Sequence, residues 1–70
     1  MNLDDFYIRL GKNIKHCREK AHLTQERLAE KAGISLDFMG KIEVNISKPS
    51  LDTIFKLALA LNVSPAEFFK

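Results

Sequence analysis

The 70-residue sequence predicts an all-α fold made of five short helices. Apolar residues recur at spacings of three and four, the period of a helix that buries one face. A Ser, Thr or Asn stands before each apolar run as a helix N-cap, and Gly33 or an asparagine follows where a helix has to end. No stretch alternates as a half-buried strand does. The length predicts one domain spanning residues 1–70, near the lower limit for a chain that folds without disulfides or bound metal ions.

The first helix is expected over residues 3–21, with Asn2 as its N-cap. Gly11 lies inside this helix, where glycine costs about 1 kcal/mol relative to alanine, so a close packing contact is the expected reason for it. His22 follows the helix, and histidine tolerates a left-handed backbone better than most residues do. The apolar face of the helix is predicted to contain Phe6, Leu10, Ile14, Cys17 and Ala21.

Residues 24–43 predict two further helices joined by a tight turn. Thr24 caps the first of them, Gly33 permits the positive φ that ends it, and Ser35 caps the second. Ala29 is small enough to let the second helix cross close to the first. Two helices that cross steeply through a three- to four-residue turn form a helix-turn-helix, a unit whose second helix can enter the major groove of DNA.

The last two helices are expected over residues 51–61 and 65–69. Ser50 caps the fourth helix. The tetrad from Ser64 to Glu67 reads as a capping box with proline at the first helical position, which predicts a fifth α-helix. The core face of the fourth helix is predicted to contain Leu51, Ile54, Leu57, Ala58 and Leu61.

Charge and cysteine content narrow the class of protein. The net charge is +2, but residues 9–31 carry seven basic and three acidic side chains. This local excess of positive charge is typical of a surface that binds a polyanion and, equally, of a helix surface that only faces solvent. The single cysteine excludes an intramolecular disulfide, and neither a signal peptide nor a membrane-spanning apolar run is present, so we expect a cytoplasmic protein.

Metal and catalytic sites are not expected. His16 and His22 are six residues apart, whereas two ligands on one helical face need a spacing of three or four, and Cys17 lies on the apolar face. No pair of carboxylates, nucleophile with its base, or phosphate loop occurs, so we expect neither an enzyme nor a cofactor.

The pattern resembles the phage repressor and Cro proteins, also called the xenobiotic-response-element family of bacterial regulators. The resemblance covers residues 8–69 and implies a compact five-helix, lambda-repressor-like DNA-binding domain. It rests on residues of the helix-turn-helix and its flanks: Leu23, Thr24, Gln25, Leu28, Ala29, Ala32, Gly33, Ile34, Ser35, Ile42, Glu43, Pro49, Ser50 and Leu51. Outside this block it includes Gly11, Ile14, Arg18, Leu57, Ala58, Leu61, Val63 and Ser64.

The resemblance implies contacts with both phosphates and bases. Gln25 is expected to form a hydrogen bond with a phosphate beside the helix N-terminus. Thr24 can add a contact through its hydroxyl, and the alternative is that it serves only as an N-cap. The neighbouring phosphate is expected to meet Asn45, Ser47 and Lys48. The base-reading positions are Leu36, Asp37, Phe38 and Lys41.

Each base-reading position has a chemical role, and two of the four also have an alternative. Lys41 can donate to guanine, Asp37 can accept from cytosine N4, and Leu36 and Phe38 can touch thymine methyl groups. Alternatively, Asp37 stabilises the helix dipole and Phe38 folds back onto the protein. Gly40 weakens the helix but permits close approach of its backbone to DNA or to another protein.

Two further contacts are expected from the resemblance. Arg18 and Glu43 should form a partly buried ion pair that ties the first helix to the end of the third. Phe55, Leu59 and Phe69 should form an exposed apolar homodimer interface, the alternative being that a wide apolar face packs on the fifth helix.

The resemblance therefore implies a sequence-specific transcriptional regulator that binds double-stranded DNA as a homodimer in the cytoplasm, in association with the nucleoid. The alternative is a protein-interaction module, such as an antitoxin or a component of a restriction–modification controller, whose main contact is a protein partner.

Overall fold

The computed structural model describes residues 1–70 as four α-helices followed by a short 3₁₀ helix. We number the α-helices in chain order: α1 Leu3–Lys20, α2 Gln25–Ala32, α3 Leu36–Glu43 and α4 Leu51–Leu61; the 3₁₀ helix is Pro65–Phe69. The all-helical prediction is confirmed, and the helix-turn-helix comprises α2 and α3. None of the helices combines the length and the apolar character needed to cross a membrane.

The prediction of a fifth α-helix is wrong, because residues 65–69 form a 3₁₀ helix. The Glu67 amide donates to the Ser64 carbonyl at 3.0 Å, an i→i+3 bond. In a segment of five residues such bonds satisfy more of the backbone than α-helical bonds would. The capping box is incomplete, because the Glu67 carboxylate turns to Lys70 Nζ at 2.8 Å instead of back to Ser64. From α1, the Asn13 side-chain amide donates to the Phe68 carbonyl at 3.0 Å and so secures this end of the chain.

The predicted N-caps are confirmed. Asn2, Thr24, Ser35 and Ser50 each precede an α-helix in extended backbone conformation, and each side-chain oxygen accepts a hydrogen bond from the amide three residues later. Each bond satisfies one of the amides that a helix leaves without an internal partner at its start.

Left-handed residues redirect the chain after each α-helix. Their φ angles are 59° at His22, 72° at Gly33, 65° at Asn45 and 56° at Asn62. α1 ends at Lys20, one residue before the predicted end, because Ala21 already serves as its C-cap. Asparagine and histidine tolerate this conformation better than most residues with a side chain, which is why they stand where glycine would be the default.

One core joins all the helices. It consists of twelve buried apolar side chains: Leu10, Ile14, Leu28, Ala29, Ala32, Met39, Ile42, Ile54, Leu57, Ala58, Leu61 and Phe68. Two residues at the edges of the predicted apolar faces are exposed instead of buried. Leu51 is 83% exposed, because it lies in the i, i+4 row of Phe55 and Leu59 rather than in the buried row of α4. At the end of α1, Ala21 is exposed.

α1 crosses the C-terminal end of α3 at Gly11. A Cβ atom added there would lie 2.7 Å from the carbonyl oxygen of Ile42 and 3.0 Å from that of Glu43. Since real Cβ atoms do not approach oxygen so closely, this crossing requires glycine. The close packing contact expected at Gly11 is thus confirmed, and it brings α1 against the helix that carries the candidate base-reading residues.

Candidate nucleic-acid interface

α3 presents one side to the core and the other to solvent. Met39, Ile42 and Glu43 are buried, whereas Leu36, Asp37 and Lys41 are exposed. The turn before α3 is held by the Ile34 amide, which donates to the carbonyl of Ala29 at 3.0 Å. Ala29 itself is 2% exposed. The turn therefore holds α3 against α2 and leaves the outer side of α3 uncovered.

A buried ion pair ties α1 to the end of α3. Arg18 Nε donates to Glu43 Oε2 at 2.7 Å, and Arg18 Nη2 donates to Glu43 Oε1 at 3.1 Å. The two side chains are 11% and 1% exposed. Arg18 Nη1 also donates to the carbonyl of Leu23 at 2.8 Å. The hydrogen bond to Glu43 is the main reason why the pKa of Arg18 lies above its usual value.

Gln25 belongs to the same network, a connection that sequence spacing did not predict. Its Nε2 donates to Glu43 Oε1 at 2.9 Å, so the first residue of α2 is bonded to the last residue of α3. The side-chain amide of Gln25 lies beside Gly40, where an added Cβ would be 3.6 Å from Gln25 Oε1. One N–H and the amide oxygen of Gln25 remain for an external partner.

The outer side of α3 carries an exposed ion pair. Lys41 Nζ lies 2.9 Å from Asp37 Oδ2, one helical turn away, and the two side chains are 45% and 76% exposed. Leu36 is 48% exposed. Phe38 is half-buried and packs against the core, as the alternative for this residue anticipated. Of the four base-reading candidates, Leu36, Asp37 and Lys41 are exposed and Phe38 is half-buried.

The loop between α3 and α4 is tightened by bonds to α3. The amides of Ile46 and Ser47 both donate to the carbonyl of Lys41, at 2.8 and 3.1 Å. The Ser47 amide is therefore occupied, which leaves its hydroxyl for a phosphate. Lys48 Nζ lies 4.9 Å from the centroid of the Tyr7 ring, a cation–π contact that holds the loop against α1.

The three apolar residues predicted to form an interface have different neighbours. Phe55 and Leu59 are 60% and 69% exposed, so the alternative that they pack on the C-terminal helix is wrong. Phe69 stacks on Phe6 of α1 with ring centroids 5.9 Å apart. Leu59 instead borders a surface hollow that Ala32, at the end of α2, also lines. The structure adds Leu51 to the row of Phe55 and Leu59.

The remaining candidate groups are the potential metal ligands and the single cysteine. No cluster of three or more His, Cys, Asp or Glu side chains is arranged to bind a metal ion. Cys17 is a free, half-buried thiol, and burial raises its pKa, with a further contribution from the charge of Glu67. It is thus held as the neutral thiol and acts as a small apolar side chain.

A family model and several known proteins are similar to this chain. A family model described as Helix-turn-helix matches residues 14–68. An HTH-type transcriptional regulator of Mycobacterium tuberculosis is 39% identical over 54 residues, which make up 77% of this chain and 39% of that protein. The immunity repressor protein of Bacillus phage phi105 is 41% identical over 54 residues, 77% of this chain and 38% of that protein. The chain thus spans less than half the length of these two relatives.

A solved structure matches over nearly its whole length. It is the crystal structure of the restriction-modification controller protein C.AhdI from Aeromonas hydrophila, which is 33% identical. The superposition has a TM-score of 0.88 and covers 90% of this chain and 96% of that one. Together with the family model, which extends over most of the sequence, this similarity shows that the chain belongs to the HTH_3 helix-turn-helix family of Cro/C1 type.

Proposed function

We propose that this chain is a sequence-specific DNA-binding transcriptional regulator that inserts α3 into the major groove. The observation that carries the proposal is a recognition helix held on its inner side by the buried Arg18–Glu43–Gln25 network and free on its outer side. Family membership and the names of the similar regulators and repressor favour this function over the protein-interaction module. The protein would act in the cytoplasm, on the nucleoid.

The phosphate contacts would lie on both sides of α3. On one side, the N-terminus of α2 offers free backbone amides and Gln25, whose amide is already oriented by Glu43. Thr24 caps this helix, and its hydroxyl can also donate to a phosphate. On the other side are the loop residues Asn45, Ser47 and Lys48. Contacts of this kind set the position of a protein on the duplex without reading its sequence.

The base contacts would come from the exposed side of α3. Lys41 is the main reader because it can donate to the acceptors of guanine, and Asp37 can accept from cytosine. Leu36 is exposed enough to touch a thymine methyl group. Phe38 contributes less, because its packing against the core limits its reach.

A homodimer would place two α3 helices on successive turns of one DNA face. Half-sites that are one helical turn apart lie roughly 34 Å from centre to centre. The exposed apolar row of α4, which comprises Leu51, Phe55 and Leu59, would supply the interface. Phe69 stacks on Phe6 of α1 and does not belong to this row. Its members recur every fourth residue, so two copies of α4 can pair antiparallel about a two-fold axis at Phe55.

The test is selection of bound duplexes from a random library with purified protein at two salt concentrations. The expected result is a two-fold-symmetric motif whose affinity falls steeply with salt. A Lys41→Ala variant provides the comparison, since it should remain folded and lose enrichment at defined positions. Weak binding to every duplex, with no enriched motif, would contradict the proposal.

A further inference from the structure

The exposed tip of α3 carries a hydrogen-bond donor and an acceptor that touch each other. Lys41 Nζ and Asp37 Oδ2 are 2.9 Å apart, and the carboxylate is the more exposed of the two groups. Neither side chain makes another hydrogen bond or ion pair, so the rest of the fold does not occupy them. The two groups present one neutral edge to the surroundings, a cation beside an anion.

An aspartate at this position is unfavourable for DNA binding when it stands alone. Phosphates repel a carboxylate, and binding of a duplex is driven largely by neutralising its negative charge. The ion pair with Lys41 cancels this repulsion locally. Asp37 can therefore approach the groove as one half of a charge pair.

The dimensions of this pair match one base-pair edge. In the major groove, guanine presents the acceptors N7 and O6, and cytosine presents the N4 donor. O6 and N4 are hydrogen-bonded to each other within the base pair, so they are about 2.9 Å apart. Successive base pairs are separated by about 3.4 Å along the helix axis. A donor and acceptor 2.9 Å apart therefore fit the edge of a single pair.

Resting on the proposed function, we propose that Asp37 and Lys41 jointly read one G·C base pair. The Lys41 ammonium donates to O6 and N7 of guanine, and the Asp37 carboxylate accepts a hydrogen bond from N4 of cytosine. The ion pair itself persists in the complex, with each group also bonded to one base. Asp37 is thus a specificity-determining residue and not only a helix-stabilising one.

The order of groups along the groove excludes an A·T pair from this role. An A·T pair presents N7, N6, O4 and the thymine methyl group in that order. A carboxylate on the N6 donor would lie beside the N7 acceptor, which repels it, and the lysine on O4 would lie beside the methyl group. In a G·C pair the second acceptor lies on the lysine side and an apolar C–H lies on the carboxylate side. Both neighbours therefore favour G·C.

The test is a set of equilibrium titrations on the selected duplex, with each base pair of the half-site replaced in turn. The wild-type protein should lose about tenfold in affinity when one particular G·C pair becomes A·T. Asp37→Asn and Lys41→Met should each lose this discrimination at the same base pair. Asparagine pairs well with adenine N6 and N7, so Asp37→Asn should shift the preference there toward A·T.

The matched control is the exposed ion pair of α2. Arg27 Nη1 lies 3.0 Å from Glu30 Oε1, and their side chains are 60% and 68% exposed. Glu30→Gln breaks a comparable helix ion pair and should leave every base preference unchanged.

Two results would overturn the inference while leaving the proposed function intact. One is that the Asp37 and Lys41 variants alter different base pairs. The other is that Asp37→Asn retains all wild-type preferences. A wild-type protein that discriminates at no base pair would instead overturn the proposed function, and the joint reading with it.

Discussion

At Gly11 the backbone of α1 passes so close to α3 that a Cβ atom would lie 2.7 Å from the Ile42 carbonyl oxygen. At Gly40 the same atom would meet only Gln25 Oε1, at 3.6 Å, which is an ordinary contact. Both glycines lie inside helices and so carry the same intrinsic cost. The two positions therefore separate the effect of packing from that of helix propensity.

We expect Gly11→Ala to lower the free energy of unfolding by about 1–3 kcal/mol, because a tightly packed crossing has to move apart. Gly40→Ala, the matched control, should raise it by about 0.5–1 kcal/mol through helix propensity alone. Urea unfolding of both variants measures the difference. Equal stability of the two variants would show that the crossing at Gly11 is not tight.

Burial of the Cys17 thiol gives a prediction about pH. Its pKa is raised in the folded state, so the folded protein holds the proton more tightly than the unfolded chain does. The stabilisation is complete below the unfolded value of about 8.5 and is lost as the pH rises through the raised value. The stability advantage of the wild type over Cys17→Ala should therefore shrink between pH 7 and pH 10.

Paired denaturant titrations at the two pH values measure this change. A difference that stays constant, or grows with pH, would show that the thiol is not protected by burial. The alanine variant is the appropriate reference because it removes the titrating group and keeps the helix.

Between elements, the strongest polar connection is the Arg18–Glu43 pair with Gln25 attached to it. The network joins the end of α1 and the starting residue of α2 to the final residue of α3. A single carboxylate thus orients a candidate phosphate contact and anchors the candidate recognition helix. The orientation of α3 should depend on it.

Glu43→Ala should cost about 3–5 kcal/mol, because it leaves the Arg18 guanidinium buried without its partner. That is a large part of the roughly 3–10 kcal/mol expected for a domain of this size. A double variant, Arg18→Met with Glu43→Leu, should retain more stability than Glu43→Ala, since it removes both charges. Thermal unfolding of the three proteins provides the comparison. If the double variant is the least stable of them, desolvation is not the dominant cost.

Sequence reasoning predicts the local features of these elements well. Caps such as Thr24 and Ser35 depend on residues three positions apart, and the face of α3 that carries Met39 follows from helical periodicity. The exposure of Leu51 could not be predicted from the sequence, because it depends on which side of α4 meets the other helices. The 3₁₀ conformation of residues 65–69 could not be predicted either, because a short segment satisfies its backbone through bonds that spacing does not reveal.

The candidate site could be predicted in its residues but not in its connections. The Gln25–Glu43 bond joins residues 18 positions apart, and the Lys48–Tyr7 contact joins a loop to α1. Both depend on the crossing of helices in space. The Lys41–Asp37 pair lies within one helix, at a spacing that favours an ion pair, so helical geometry alone is sufficient to predict it.

At the scale of the whole molecule, the exposed row of α4 predicts the oligomeric state. Phe55 lies in the middle of the row, so its replacement affects both halves of a two-fold interface. We expect Phe55→Lys to remain folded, because the side chain is 60% exposed, and to be monomeric at concentrations where the wild type is dimeric. Analytical ultracentrifugation measures both species.

Lys56→Ala serves as the control, since it changes a charged neighbour outside the apolar row and should leave the dimer intact. A wild-type protein that stays monomeric even when it is bound to a symmetric duplex would contradict the proposed interface. Retention of the dimer by Phe55→Lys would place the interface elsewhere.

The most direct test of sequence-specific binding through α3 is the ratio of two affinities. Wild-type protein is titrated at one fixed salt concentration against its selected duplex and against a scrambled duplex of equal composition. We expect the selected duplex to bind at least about 10³-fold more tightly, as specific protein–DNA complexes do. Equal affinities for the two duplexes would show that the protein recognises only the charge of DNA, and would contradict sequence-specific binding through α3.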